Sequence, residues 1–116
     1  MTALKLRILF DGAMMGPGKA ELLERIRETG SIAAAGRQMK MSYKRAWMLV
    51  EAMNSAFAAP VVASARGGAQ GGGAHLTETG VQVLRHFRTL EAAAQTAAAP
   101  HIKALESLRS DMSKQK

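Results

Sequence analysis

The chain contains no cysteine among its 116 residues, and aromatic residues make up only 4% of it. Without thiols it can form neither a disulfide framework nor a thiolate zinc site, and it has no catalytic cysteine. No eighteen apolar residues follow one another, which argues against a transmembrane helix. The first twelve residues lack the apolar segment and the cleavage site of a signal peptide. We therefore expect a soluble, cytoplasmic protein with no membrane partner.

Acidic residues are also scarce, since nine Asp and Glu stand against sixteen Lys and Arg, a formal net charge of +7. A positive surface of this kind favours polyanions or acidic surfaces as partners. The length suffices for one small hydrophobic core and excludes a large multidomain enzyme.

The first half of the chain predicts one strand and two helices. Apolar residues alternate with charged ones over residues 4–10, as in a half-buried strand. Glycine and proline at residues 16–18 indicate a turn, and an amphipathic helix is expected from Lys19 to about Thr29. Gly30 is a helix stop, and Ser31 is an N-cap for a second, short helix.

A third helix is predicted from Tyr43 to Phe57, with Ser42 as its N-cap. Its apolar positions form one continuous face, and Lys44 and Arg45 fall on the outer side and its flank. Trp47 is expected in the core.

Beyond the third helix the sequence predicts a β-hairpin with a glycine-rich tip. Residues 61–65 are compatible with a strand, and five glycines occur in residues 66–75. Glycine loses the most backbone freedom on folding, so such a tip is expected to be flexible. His75 and Leu76 would form the returning strand, and Thr77 would cap the last helix.

The last helix carries a long apolar stripe that we expect to pair two subunits. Proline lacks a backbone donor, so a kink or break is predicted near Pro100. We divide the chain into a DNA-binding domain, residues 1–76, and a helical dimerisation segment, residues 77–116, broken near Pro100. The predicted dimerisation residues are Val83, Leu84, Phe87, Leu90, Ala94, Ile102, Leu105 and Leu108.

This order of elements predicts a mainly α fold with a small β-wing: a winged helix-turn-helix plus a long C-terminal dimerisation helix. Such a domain places its recognition helix in the major groove of double-stranded DNA. Between Gly30 and Arg66, five basic residues oppose the single acid Glu51. Ser42 could instead serve as a cap alone, Tyr43 could lie half-buried, and Arg66 could be an ordinary surface residue. The candidate DNA-binding residues are Arg37, Lys40, Ser42, Tyr43, Lys44, Arg45, Arg66, Gly67 and Gln70.

Little in the sequence favours an enzyme or a metal site. A phosphate-binding P-loop needs a lysine and a hydroxyl residue directly after its last glycine, whereas Gly73 is followed by Ala74 and His75. The three histidines are spaced too far apart to suggest a metal site. We expect no catalytic residues and no metal.

Four segments resemble the DNA-binding half of the ModE family of molybdate-responsive transcription regulators. They are Gly30-Ser-Ile, Met41-Ser-Tyr-Lys-Arg-Ala-Trp, Glu51-Ala-Met-Asn, and the glycine-rich stretch from Arg66 to Thr77. The resemblance covers roughly residues 5–95 and implies a LysR-like winged helix-turn-helix that binds operator DNA as a homodimer. It also implies DNA contacts by Ser42, Tyr43, Lys44 and Arg66. Larger members of the family continue into small β-barrel domains that bind the oxyanion, so we expect no cofactor and no small-molecule effector site within this chain.

We therefore predict a homodimeric, sequence-specific transcriptional regulator, with molybdenum transport or molybdoenzyme genes as targets implied by the resemblance. Two-fold symmetry would place the recognition helices about 34 Å apart, at half-sites one DNA turn from each other. The alternative is a nucleoid-associated or protein-interaction module that uses the same basic surface without reading sequence. A small enzyme with a phosphorylated ligand at the glycine loop is the least favoured hypothesis.

Overall fold

A computed structural model describes residues 2–65 and 73–110 and contains four helices and two small antiparallel sheets in that part of the chain. The expected mainly helical winged helix-turn-helix is confirmed. In chain order the elements are β1 (Ile8–Phe10), β2 (Ala13–Met15), α1 (Pro17–Thr29), α2 (Ile32–Gln38), α3 (Tyr43–Ala56), β3 (Val62–Ala65), β4 (Gly73–Leu76) and α4 (Glu78–Leu108).

The N-terminal strand is shorter than the alternation over residues 4–10 predicts. β1 begins at Ile8, because its antiparallel partner β2 offers only three residues for pairing, from Phe10↔Ala13 to Ile8↔Met15. The residues before β1 approach α4 instead, where the Gln95 side chain donates a hydrogen bond to the backbone carbonyl of Leu4. The strand prediction was therefore wrong for residues 4–7.

The helix-turn-helix follows from local signals that the structure confirms. α1 begins at Pro17, two residues before the expected start, since proline is favoured in the first turn of a helix. It ends at Gly30, whose φ of 71° lies in the left-handed region. Ser31 Oγ accepts a hydrogen bond from the Ala34 N–H at 3.0 Å, and Ser42 Oγ accepts one from the Arg45 N–H at 3.1 Å. The caps thus fix where α2 and α3 begin.

The core lies where α1, α3 and the first half of α4 meet the base of the β3–β4 hairpin. It consists of aliphatic, methionine and small side chains with one phenylalanine, as the low aromatic content predicts. Its buried residues are Met15, Ala20, Leu22, Leu23, Ile26, Ala35, Ala46, Val50, Met53, Val61, Val62, Ala74, Leu84 and Phe87.

α4 corrects two expectations. The helix continues through Pro100 without a break. The three alanines directly before the proline, residues 97–99, have the highest helix propensity and favour continuation of the helix despite the missing hydrogen bond. Leu84 and Phe87 are only 2% exposed within their own chain, so they belong to the monomer core and not to a dimer surface. The sequence could not show this, because α1 and β4, which pack against α4, come from distant parts of the chain.

Along its 31 residues, α4 carries too many polar side chains to span a membrane, and none of the other described helices could do so.

Candidate nucleic-acid interface

The first turn of α3 presents the predicted DNA-binding side chains together on one exposed surface. Ser42, Tyr43, Lys44 and Arg45 are all exposed. The opposite side of the helix, which includes Ala46, is buried in the core. This division follows from the 3.6-residue helical period, which turns alternate groups of side chains inward and outward.

Two further predicted contacts extend this surface toward the preceding turn. Arg37 in the last turn of α2 and Lys40 in the turn are both exposed. Lys40 adopts a φ of 61°, a left-handed conformation that allows the tight connection between α2 and α3. Together, Arg37, Lys40, Lys44 and Arg45 form what we call the α2–α3 basic surface.

The ion pairs among the described residues lie on α1 and α4 and not on the α2–α3 basic surface. The ion pairs found in residues 2–65 and 73–110 join Arg25 to Glu21 and Arg88 to Glu24 and Glu91, all on α1 and α4. The bidentate hydrogen bond from Arg88 holds the pKa of Glu24 below its ordinary value, against the opposing effect of burial. The cations of the α2–α3 basic surface take part in none of these pairs, so their charge is available to an external anion.

Among the described residues, the side chain of Asn54 on α3 forms hydrogen bonds with the start of the wing hairpin. Asn54 Oδ1 accepts hydrogen bonds from the backbone N–H groups of Val61 and Val62 at 2.8 and 3.1 Å. Asn54 Nδ2 donates to the Val62 carbonyl at 3.2 Å. One amide therefore sets the position of β3 relative to the recognition helix. Sequence reasoning missed this role, although a polar residue beside the apolar face of α3 is a visible signal.

The other side of the wing is fixed to α4 at Thr77. The Thr77 N–H donates to the Val61 carbonyl at 3.0 Å, its hydroxyl donates to the Pro60 carbonyl at 2.6 Å, and Thr77 Oγ1 accepts from the Gly80 N–H at 3.0 Å. Gly80 packs against the same carbonyl so closely that a Cβ would lie 2.1 Å from the Val61 oxygen. The wing therefore meets α4 at a junction formed by Thr77, Val61 and Gly80. Position 80 of this junction has room for glycine but not for a residue with a Cβ.

Three of the predicted wing contacts, Arg66, Gly67 and Gln70, lie outside the described residues. The register Val62↔Leu76 to Ala65↔Gly73 gives the two strands that flank that segment. DNA contact by these three residues stays a prediction.

Trp47 corrects the sequence analysis, because it is 45% exposed and not part of the core. Ala46 and Val50 occupy the core-facing positions of this part of α3, so the indole projects from the side of the helix. Tyr43, one helical turn earlier, is 57% exposed, which agrees with the alternative that it lies half-buried, and its contact with DNA stays a prediction.

A second surface, which we call the α4 groove, lies at the opposite end of α3. It is an apolar depression of about 390 Å³. Phe10 and Phe57 line it and meet edge to face, with ring centroids 5.9 Å apart. The remaining lining residues come from β1, β2, the segment after α3 and the first half of α4: Ile8, Met15, Ala58, Ala59, Thr79, Gln82, Val83, His86, Phe87 and Leu90.

In the part of the chain that the structure describes, no three His, Asp or Glu side chains come together as metal ligands would.

Comparison with known proteins found relatives named as molybdenum-pterin-binding, molybdenum transport and transcriptional regulator proteins. The chain is 49% identical over 81 residues to the molybdenum-pterin-binding protein MopB of Rhodobacter capsulatus, covering 70% of this chain and 30% of that protein. It is 37% identical over 86 residues to the molybdenum transport protein ModE of Azotobacter vinelandii, covering 74% and 32%. It is 39% identical over 75 residues to the transcriptional regulator ModE of Haemophilus influenzae, covering 65% and 29%. The chain thus matches about 30% of the length of these relatives. No family model matches it.

Proposed function

Because the chain is homologous to the N-terminal part of ModE-type proteins, we propose that it is a sequence-specific, DNA-binding transcriptional regulator. The observation that carries the proposal is the α2–α3 basic surface, whose cations pair with no described carboxylate and stand beside a firmly anchored wing. Relatives named as a molybdenum transport protein and as a transcriptional regulator favour genes of molybdenum transport as targets. We place the protein in the cytoplasm, where bacterial promoters are.

DNA binding by this surface is tested with Lys44→Ala. Loss of one phosphate contact is expected to weaken binding several-fold and to reduce the slope of log affinity against log salt by roughly one. Lys103→Ala is the matched control, since Lys103 is also an exposed lysine but lies near the C-terminal end of α4, outside the α2–α3 basic surface. If the two variants bind a labelled duplex equally well, α3 is not the contact surface.

Sequence reading is tested by competition with unrelated DNA. Specific sites are typically at least about 10³-fold tighter than random ones, so a complex with a duplex selected from a random library should survive the competitor. Equal competition by any duplex would instead favour a nucleoid-associated module that uses the same charges.

We further propose that the protein acts as a homodimer through α4. The helix is about 46 Å long at 1.5 Å per residue, and its distal part leaves Leu105 and Leu108 64% and 81% exposed. These leucines lie on the same side of α4 as Val83 and Leu90. In the N-terminal half of the helix, Val83 and Leu90 line the α4 groove.

An antiparallel pair of α4 helices would bury the exposed distal leucines and the α4 groove at the same time. A two-fold axis that crosses α4 at the level of residue 96, on the side that carries Ala94, brings Leu105 and Leu108 of one chain alongside residues 83–90 of the other. The six alanines of residues 92–99 are small enough for close helix crossing there. Of the predicted dimerisation residues, this arrangement uses Val83, Leu90, Ala94, Ile102, Leu105 and Leu108, without Leu84 and Phe87.

The dimer is tested by sedimentation at micromolar concentration. Leu105→Glu combined with Leu108→Glu should yield monomers, whereas Thr96→Glu on the opposite side of the helix should leave the dimer intact. A monomeric wild-type chain, or dimerisation unaffected by the leucine changes, would contradict the α4 pairing.

A further inference from the structure

Two aromatic side chains are exposed within the most basic part of the molecule. Trp47 and Tyr43 lie one helical turn apart on α3, next to the exposed cations Lys44 and Arg45. Large aromatic side chains on a surface are typical of binding interfaces, where they contribute disproportionately to affinity. The surrounding positive charge favours an anionic occupant over an apolar protein surface.

The two rings line a cleft between α3, the start of α2 and the wing. Its volume is about 230 Å³, below the roughly 300–1,000 Å³ of typical small-molecule pockets. On the wing side it is bounded by the cross-strand pair Ser64↔Ala74 and by Gly73. On the other side lie Ser31, Ile32 and Ala33.

The position of the cleft matches one part of a DNA duplex. When a recognition helix enters the major groove, a hairpin beside it meets the neighbouring minor groove. A single sugar–phosphate strand separates those two grooves. The cleft between α3 and the wing therefore faces that strand.

Resting on the proposed DNA binding, we infer that Trp47 and Tyr43 form an aromatic seat for this sugar–phosphate strand. The ring faces would pack on deoxyribose, and the indole N–H and the phenol O–H would donate hydrogen bonds to phosphate oxygens. Lys44 and Arg45 would neutralise the same strand. The seat contacts backbone and not base edges, so it adds affinity on any sequence.

Trp47 is the single tryptophan of the chain, so its fluorescence reports on the seat directly. Acrylamide is uncharged and quenches exposed indoles without regard to the charge of DNA. We expect the quenching constant of Trp47 to fall several-fold when a duplex selected from a random library is added, while the anisotropy of the labelled duplex rises. Rising anisotropy with unchanged quenching would overturn the seat and leave DNA binding intact. No rise in anisotropy would overturn both.

Substitution gives an independent readout. Trp47→Ala should weaken binding about tenfold on the selected duplex and on unrelated DNA alike, with an unchanged salt slope, because no charge is lost. Trp47→Phe should recover part of the affinity. Val81→Ala is the matched control, an exposed apolar residue on α4, and thermal melting of each variant checks the fold. A loss confined to the selected duplex, and abolished when its thymines are replaced by uracil, would show base reading and refute the seat.

Discussion

Gly80→Ala should destabilise the protein through the junction of the wing and α4. The added Cβ would lie 2.1 Å from the Val61 carbonyl oxygen, and ordinary contact at 3.4 Å requires the two backbones to separate by about 1.3 Å. Val61 is fully buried, and its carbonyl also accepts the 3.0 Å hydrogen bond from Thr77. The contacted atoms belong to the backbone, which cannot relieve the overlap by a change of rotamer as a flexible side chain can. The strain therefore falls on the position of β3.

The magnitude follows from three contributions. Overpacking costs about 1–3 kcal/mol, and stretching the Thr77 hydrogen bond costs about 1 kcal/mol. The better helix propensity of alanine returns up to about 1 kcal/mol. The net loss of about 1–3 kcal/mol corresponds to a fall in Tm of about 4–12 °C for a chain of this size.

Thermal unfolding followed by circular dichroism measures this change, with Gly18→Ala as the control. Gly18 also lies in the first turn of a helix, but a Cβ there meets nothing within 4 Å. That variant should be as stable as the wild type or up to about 1 kcal/mol more stable. If Gly80→Ala has the same Tm as the wild type, the junction can widen at little cost in free energy and does not fix the position of the wing.

Three further changes test the contacts that hold the domain together. Asn54→Ala leaves the Val61 and Val62 N–H groups without their acceptor and should lower the free energy of unfolding in urea by about 2 kcal/mol; a smaller loss than 0.5 kcal/mol would show that water replaces the amide. Ser42→Ala removes the cap of α3 and should cost about 1 kcal/mol, whereas Ser42→Gly should cost only a few tenths; equal losses would exclude the cap. The Arg88 hydrogen bond lowers the pKa of Glu24, so its stabilisation is present above the ordinary value of 4.5 and is lost as pH falls through the lowered value. Arg88→Met should therefore flatten the acid side of the stability profile, by less than about 1 kcal/mol because both groups are about one third exposed; an unchanged profile would contradict the pairing.

The failures of the sequence prediction are of two kinds. The alternation over residues 4–7 is typical of a strand, but β2 is too short to pair with it. The stripe on α4 predicts a partner subunit along its whole length, but the core of the same chain covers Leu84 and Phe87. Pro100 was expected to interrupt α4, yet the helix persists on both sides of it. The first two errors concern what lies next to a segment, whereas the error at Pro100 concerns the helix propensity of the segment itself.

The sequence alone determined the helix-turn-helix, the wing strands and the placement of basic residues at the start of α3. Capping, helical periodicity and turn formation act within a few residues, so Gly30, Ser31 and Ser42 are sufficient to define these boundaries. Only the tertiary structure decided that Trp47 faces outward, that Asn54 holds the wing, and that Gly80 must lack a side chain. Burial and close backbone contact depend on elements far apart in the chain, and those become neighbours only when the whole domain has folded.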